Sequence, residues 1–347
     1  MYKVSERDIY YLAIGSSVLG SGGGGNPFLG YEILKTKMKE LNRHELYYEQ
    51  GIADNDFIIG VGGMGSPWVG IEKIPAGTEY FKAYECLSKF LKREASKITS
   101  IEIGGINSVV PFIASLLANK PLVDGDLEGR AFPELYMTTS HFYGINATPM
   151  CIVDERGNQV ILDSVDNYYA EKIARSITVR FGGRGYIAIY PMNGESYIKS
   201  AILGSISLSI DIGKILNTEG LDSMLDFVKG RILFHGKVVD VRRINLPGFN
   251  SAIVTIEGLE EYKDYMAKLY VKNEYLLFEV NNNIISIAPN IINLVDYKNK
   301  IITSDMIKYG IRVRVIGIPV SSKWREVGGE EVISKSILNE YKKLSNL

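Results

Sequence analysis

An α/β domain followed by an all-β domain is the fold class this sequence predicts, and two contrasts predict it. Over residues 1–225, short apolar runs alternate with helical patterns, and each run leads into a glycine-rich or acidic loop. That alternation is the mark of a layered domain with a mostly parallel sheet. Beyond residue 225 the helical period is lost, and short β-branched runs follow at even spacing, as in a barrel or sandwich. The expected division is 1–225, then 226–325, then a tail or helix over 326–347.

The elements are read in order. Residues 5–19 carry apolar positions at helical spacing, with Ser5 as N-cap. The glycine run 20–25 follows, and a second helix spans about 28–41. Residues 56–61 (DFIIGV) read as a buried strand ending in the loop Gly62–Pro67. A helix over 80–95 leads to a strand at 99–103, with Glu102 inside it, and to the loop 104–108. A helix over 109–119, capped by Ser108 and tolerant of Pro111 in its first turn, precedes a strand at 121–123 and the acidic loop 124–134. A hairpin over 149–163 and a helix over 165–178 follow. Next come a strand at 186–191 and one long helix over 196–216 with a face of small residues. The later strands are expected at 231–245, 250–257, 265–271, 275–280, 284–288, 291–297 and 313–318, and a polar helix or frayed tail at 332–347.

Composition excludes several classes. Hydrophobic residues are 46% and charged residues 23% of the 347, which excludes a disordered chain. Lys and Arg total 39 against 40 Asp and Glu, net −1, so nucleic acid is not an expected partner. No run approaches the ~18 apolar residues of a membrane span, and Met1–Asp8 has no signal-peptide character. Two cysteines, Cys86 and Cys151, are too few for a disulfide framework. The expectation is a soluble cytoplasmic protein with reduced thiols. His44, His141 and His235 share no ligand spacing, which argues against a histidine zinc site. The edges of the β domain and the small-residue helix predict a homo-oligomer.

Chemistry is expected at the loops. Ligands of open α/β sheets bind outside the carboxyl ends of parallel strands, so the loops 62–67, 104–108 and 124–134 should share an edge. Gly23, Gly24, Gly25 and Asn26 offer open backbone N–H groups ahead of a helix, without the lysine of a phosphate loop or the context of a dinucleotide fingerprint. Gly63, Met64, Glu72 and Asn107 are candidate binding residues. Glu102, in a buried strand, is costly unless paired or used. Asp124 and Asp126, two residues apart, suit an acid/base pair or a divalent cation held together with Glu134. Glu134 or Glu102 would be the acid, and Arg130 would clamp a substrate carboxylate. No Gly-x-Ser-x-Gly elbow is present.

The order SGGGGNPFLG, GGMGSP, IEIGGINS, VDGDLEGRAFPELYM, GSISLSIDIG, LFHGKVVDV, KNEYLLFE and RVRVIGIPV resembles the S-methyl thiohydantoin desulfurase family over nearly the whole chain. The DGD…GRAFPEL block carries the resemblance most specifically. It implies an N-terminal α/β and a C-terminal β-rich domain, and hydrolytic removal of sulfur from a thiohydantoin-like ring or related chemistry on hydantoins and cyclic amides. It also implies company with hydantoinase- and oxoprolinase-type proteins. Pro289-Asn290 stands where the family pattern leads one to expect Pro-Asp. Three functions compete: a hydrolase of cyclic ureides, a non-catalytic accessory subunit bound to a hydantoinase-type partner, and a small-molecule or nucleotide-binding regulator. The first predicts that Asp126→Asn abolishes turnover or metal binding at little cost in stability.

Overall fold

A computed structural model describes residues 1–43 and 45–345; His44 and the end of the chain lie outside the described residues. The first sheet is built from β1 (Tyr2–Val4), β2 (Leu46–Glu49), β3 (Phe57–Gly65), β4 (Lys97–Ser100) and β5 (Leu122–Val123). A two-residue strand, β6 (Gly125–Asp126), precedes β7 (Met150–Val153), β8 (Gln159–Leu162) and β9 (Arg184–Asn193). The order is β1-β2-β5-β4-β3-β9-β7-β8. The pairs β2/β5, β5/β4 and β4/β3 are parallel, as the alternation predicts, and antiparallel pairs flank them.

Helices cover this sheet: α1 (Glu6–Leu19), α2 (Pro27–Glu40), α3 (Pro67–Glu72), α4 (Thr78–Leu91) and α5 (Val110–Ala118). Further along are α6 (Thr139–Phe142), α7 (Asn167–Arg180), α8 (Gly194–Ser200), α9 (Ser205–Thr218) and α10 (Leu221–Val228). Ser5 caps α1 in a reciprocal box with Asp8. Ser108 does not cap α5; its hydroxyl donates to Gly105 O at 2.8 Å. The expected long helix 196–216 is broken. Ile202–Leu203 form β10, which pairs with β6, and Gly204 turns with φ +77° into α9. The small residues are used as read: a Cβ on Gly15 would lie 1.8 Å from Ser209 O, and one on Gly213 1.8 Å from Tyr11 O, so α1 and α9 pack backbone to backbone.

The second sheet is antiparallel throughout. Its strands are β11 (Arg231–Leu246), β12 (Phe249–Gly258), β13 (Met266–Lys272), β14 (Glu274–Val280), β15 (Asn283–Ile287), β16 (Ile291–Val295), β17 (Ile301–Ile302) and β18 (Arg312–Ile318). They lie in the order β15-β14-β13-β12-β11-β18-β16-β17. After α11 (Lys323–Glu326), the chain ends in α12 (Gly329–Ser345). This last helix is docked, not frayed: Ile333, Ile337 and Tyr341 are buried with Trp324.

Cys86 and Cys151 form a disulfide, which corrects the expectation of reduced thiols. They are 65 residues apart, and α4 packed on β7 brings their Cα atoms to 6.2 Å, a proximity that spacing alone does not reveal. No described helix is long and apolar enough to cross a membrane.

The two sheets meet at the glycine run. Tyr275 N donates to Ser21 O at 2.7 Å, Ser304 N to Gly22 O at 2.8 Å, and Ser21 Oγ to Ile292 O at 2.8 Å. Gly22, Gly24 and Gly25 have φ of +82°, +71° and +77°, which glycine adopts without strain.

Candidate functional site

The run SGGGG stands against three neighbours at once. A Cβ on Gly22 would strike the Tyr275 ring at 2.5 Å, one on Gly23 would lie 2.0 Å from Glu274 Oε1, and one on Gly24 2.5 Å from Gly104 O. The glycines therefore admit Glu274, the first residue of β14, beside the loop after β4. A tight turn at Asn273, with φ +59°, aims it there. Gly24 N donates to Glu274 Oε1 at 3.3 Å, and Glu274 Oε2 is buried with no hydrogen-bond partner.

A cleft of about 80 Å³ opens beside this contact. That is well below the roughly 300 Å³ at which drug-sized pockets begin, and it suits a compact ligand. Of the sequence candidates, Gly24, Gly25, Gly63 and Met64 line it, with Glu102, Asn107 and Glu134. Glu128, Arg175, Arg184 and Glu274 line it too and were not singled out.

Glu102 does not sit inside a strand. β4 ends at Ser100, and Glu102 lies in the bend beyond it. Its Oε1 accepts from Asn107 Nδ2, and its Oε2 from Phe132 N at 3.3 Å. Asn107 is itself fixed on β3: it accepts from Gly63 N at 2.8 Å and donates to Gly63 O at 3.1 Å. The loop expected at 62–67 is thus largely strand. Its glycines continue β3 against β9, with Gly63 opposite Tyr186. Side chains would have filled the space between the strand and Asn107.

Glu102, Glu128 and Glu274 form one buried acidic group. Burial, then the Glu274 charge, holds the Glu102 carboxyl well above the usual range. Burial, then Glu102, Asp126 and Glu274, does the same to Glu128, whose Oε2 has no partner. Burial pushes Glu274 up to about 7, with Arg130 opposing. Burial and mutual repulsion thus favour the protonated form throughout this group, with Glu274 placed to titrate near neutrality.

The remaining candidates are placed elsewhere. Asp124 is buried beneath α9, where its carboxylate accepts from Ile206 N at 2.9 Å, Ser207 N at 3.1 Å, Ser207 Oγ at 2.8 Å and Gln50 Nε2 at 3.0 Å. It is a helix-terminal charge. Asp126 Oδ2 accepts from Ile103 N, Glu128 N and Gly129 N at 3.0, 3.0 and 2.7 Å, and so shapes the loop. Burial pushes its carboxyl up to about 7 against those donors. Glu134 lines the cleft, but its carboxylate is paired with Lys272, which also meets Glu340 at 3.0 Å. The set Asp124, Asp126 and Glu134 therefore does not converge on one cation. Among the described residues, the ligand atoms that do converge are those of His235, Glu260 and Glu261, on the second sheet.

Arg130 is buried and does not face the cleft. It donates to Ala131 O at 2.9 Å, Asn290 O at 2.6 Å and Tyr275 O at 3.1 Å, clamping the two sheets through backbone carbonyls. The side chain of Asn290, where the family pattern suggests Asp, accepts from Val320 N at 3.3 Å. Asn26 is exposed and caps α2 through Phe28 N, and Glu72 is exposed at the end of α3. His141 bonds Asn167 within an aromatic cluster.

The fold and cleft define a class: an α/β domain whose strand ends are closed by an antiparallel sheet that contributes a buried acid. The chain belongs to the S-Me-THD-like family, that of the S-methyl thiohydantoin desulfurases. The N-terminal domain model matches residues 7–164 and the C-terminal domain model residues 165–343. Comparison with the curated proteins finds no match. Among solved structures, the chain is similar to a crystal structure of a protein from Chromobacterium violaceum. The TM-score is 0.82 at 21% identity, covering 99% of this chain and 97% of that one, a likeness of fold.

Proposed function

We propose that the protein hydrolyses a thiohydantoin- or hydantoin-like cyclic ureide, removing sulfur where the ring carries it. The observation that carries this reading is the group Glu102, Glu128 and Glu274, buried at the edge of a small cleft with two carboxylate oxygens left unpartnered. Such oxygens are costly unless a ligand or a proton uses them. A cyclic ureide presents ring N–H donors and carbonyl-type acceptors on one flat edge. Carboxylates, carboxylic acids and the amide of Asn107 complement that edge.

In this reading Glu274, near half ionisation at pH 7, is the general base. It takes a proton from water as the water oxygen bonds to the ring carbon. Gly24 N–H holds Glu274 in place, and the backbone N–H of Gly25 is the donor for the developing negative charge. The carbon–sulfur bond then breaks as the added hydroxyl gives up its remaining proton and becomes the ring carbonyl, and the departing sulfur takes a proton from Glu128, whose burial favours the protonated form. Glu102, held by Asn107 and Phe132 N, positions the ring. The products are the oxo ring and a free thiol or sulfide.

The test is turnover of S-methyl thiohydantoins, thiohydantoins and hydantoins by the purified full chain, followed as thiol or sulfide release and as ring opening. Release of thiol with the ring left closed is expected for the S-methyl substrates. No turnover of any of them, with and without added divalent cations, overturns the reading.

A further inference from the structure

Arg184 opens β9 opposite Gly65 and lines the cleft at the end away from Glu274. It is 9% exposed. One guanidinium nitrogen, Nη2, donates to the Tyr80 hydroxyl at 3.1 Å, and the group lies 5.6 Å from the centre of the Tyr186 ring. Its Nε is buried and has no partner. Among the described residues, no carboxylate lies within ion-pair distance of it. Glu79 acts only at longer range: its Oε1 accepts from Ala76 N at 3.0 Å, and its Oε2 is buried with no hydrogen-bond partner. The cleft's other arginine is satisfied: Arg175 pairs with Glu171 at 2.8 Å and donates to Pro133 O at 2.7 Å. Arg184 is thus a buried cation with an open donor, an arrangement that is expensive unless an anion completes it.

One glycine lies between the partners of Arg184 and those of the acidic group. A Cβ on Gly63 would meet Asn107 Oδ1 at 3.4 Å on one side and the Tyr80 hydroxyl at 3.7 Å on the other. Asn107 holds Glu102, and Tyr80 holds Arg184. The wall of the cleft therefore passes from Glu102 through Asn107, Gly63 and Tyr80 to Arg184.

We infer that Arg184 anchors a carboxylate on the substrate's side chain, so that the ligand is a five-membered cyclic ureide, or its thio analogue, bearing a short acidic arm. This rests on the reading under Proposed function for the ring and on Arg184 for the arm. The ring lies at Glu102 and Glu128, and the arm reaches past Gly63 to a charge-assisted bond with Nε. The role that sequence spacing suggests for Arg130 falls to Arg184, since Arg130 is taken up by backbone carbonyls.

Calorimetric titration of the full chain with hydantoin-5-acetic acid, its neutral amide and glutarate tests this. The acid should bind at least tenfold more tightly than the amide. Arg184→Gln should erase that preference, and Arg184→Lys should restore part of it; thermal melts verify that both variants fold. Equal binding of acid and amide to the natural protein, a comparison that needs no variant, overturns the assignment. So does a preference that survives in Arg184→Gln, or a failure of every carboxylate to bind. If glutarate binds through Arg184 while neither ring compound does, the anchor stands and the cyclic-ureide reading falls.

Discussion

Two buried acidic regions flank the loop 124–130, one at the N-terminus of α9 and one under the glycine run. At the first, Asp124 receives four hydrogen bonds, two from helix backbone and two from side chains. At the second, Glu128 and Glu274 each keep an oxygen without a partner, and the Glu274 charge disfavours ionisation of Glu128. The first arrangement is complete and serves the fold. The second is incomplete without a proton or a ligand, and that makes it the better candidate for chemistry. Burial does not separate the two regions; hydrogen-bond completeness does.

The comparison breaks most sharply at Glu274. Glu274→Gln is expected to lower kcat/KM on a thiohydantoin by roughly 10²–10⁴, the usual worth of a general base. Activity of the natural protein should rise with pH through about 7 as Glu274 ionises; the variant should lose that limb. Stability carries the opposite sign. The Glu274 pKa is raised from 4.5 to about 7, so the folded state keeps a proton that the unfolded chain releases. Its contribution is complete below about pH 4.5 and is lost as pH rises through 7, by roughly 3 kcal/mol. Denaturant unfolding of natural protein and variant across pH 4–8 should show this difference. A variant with unchanged pH slope and full activity would place Glu274 with the structural acids.

The other side of the comparison predicts the reverse pattern. Asp124→Ala should cost roughly 2–4 kcal/mol, since it removes a helix-terminal acceptor and strands buried backbone N–H groups. Turnover by the folded fraction should be unchanged. Urea unfolding alongside activity per folded molecule measures both. A loss of turnover without loss of stability would return Asp124 to the site. The smallest effect is expected at Asn26→Ala, which removes the α2 cap and should cost about 1 kcal/mol with no change in kcat/KM. A large change in KM there would extend the cleft to the exposed end of the glycine run.

Seven of the eight strands of the second sheet were legible in the sequence to within a few residues, because each is β-branched and bounded by turn residues; the two-residue β17 was not. The convergence of the glycine run, Glu102 and Asn107 on one cleft was legible too. Residues 62–65 were not legible as strand, because glycine carries no alternation of hydrophobicity to read. The break at Ala201–Gly204 depends on pairing with Gly125–Asp126, a contact made in three dimensions. DGD drew attention because two carboxylates stand close in sequence, yet four donors take up Asp124 and three backbone N–H groups take up Asp126 Oδ2, leaving only Asp126 Oδ1 buried without a partner. Glu274 sits in KNEYLLFE, a strand in which a charged residue passes for solvent-facing. The signal available was the block of four glycines, which implies something large pressed against the backbone. What presses there comes from 250 residues downstream and could not be named from the run alone.

Strand β9 lies between β3 and β7 in the first sheet, although the N-terminal family model ends at residue 164, before β9 begins. A chain severed at that point would lose the middle of its own sheet. It would also lose Arg184 and Glu274, while keeping Glu102, Glu128 and the glycines. The two halves therefore depend on one another: neither carries the whole cleft to another partner. Exchange of either half between relatives should succeed only where β9 and the glycine run have come from one ancestor.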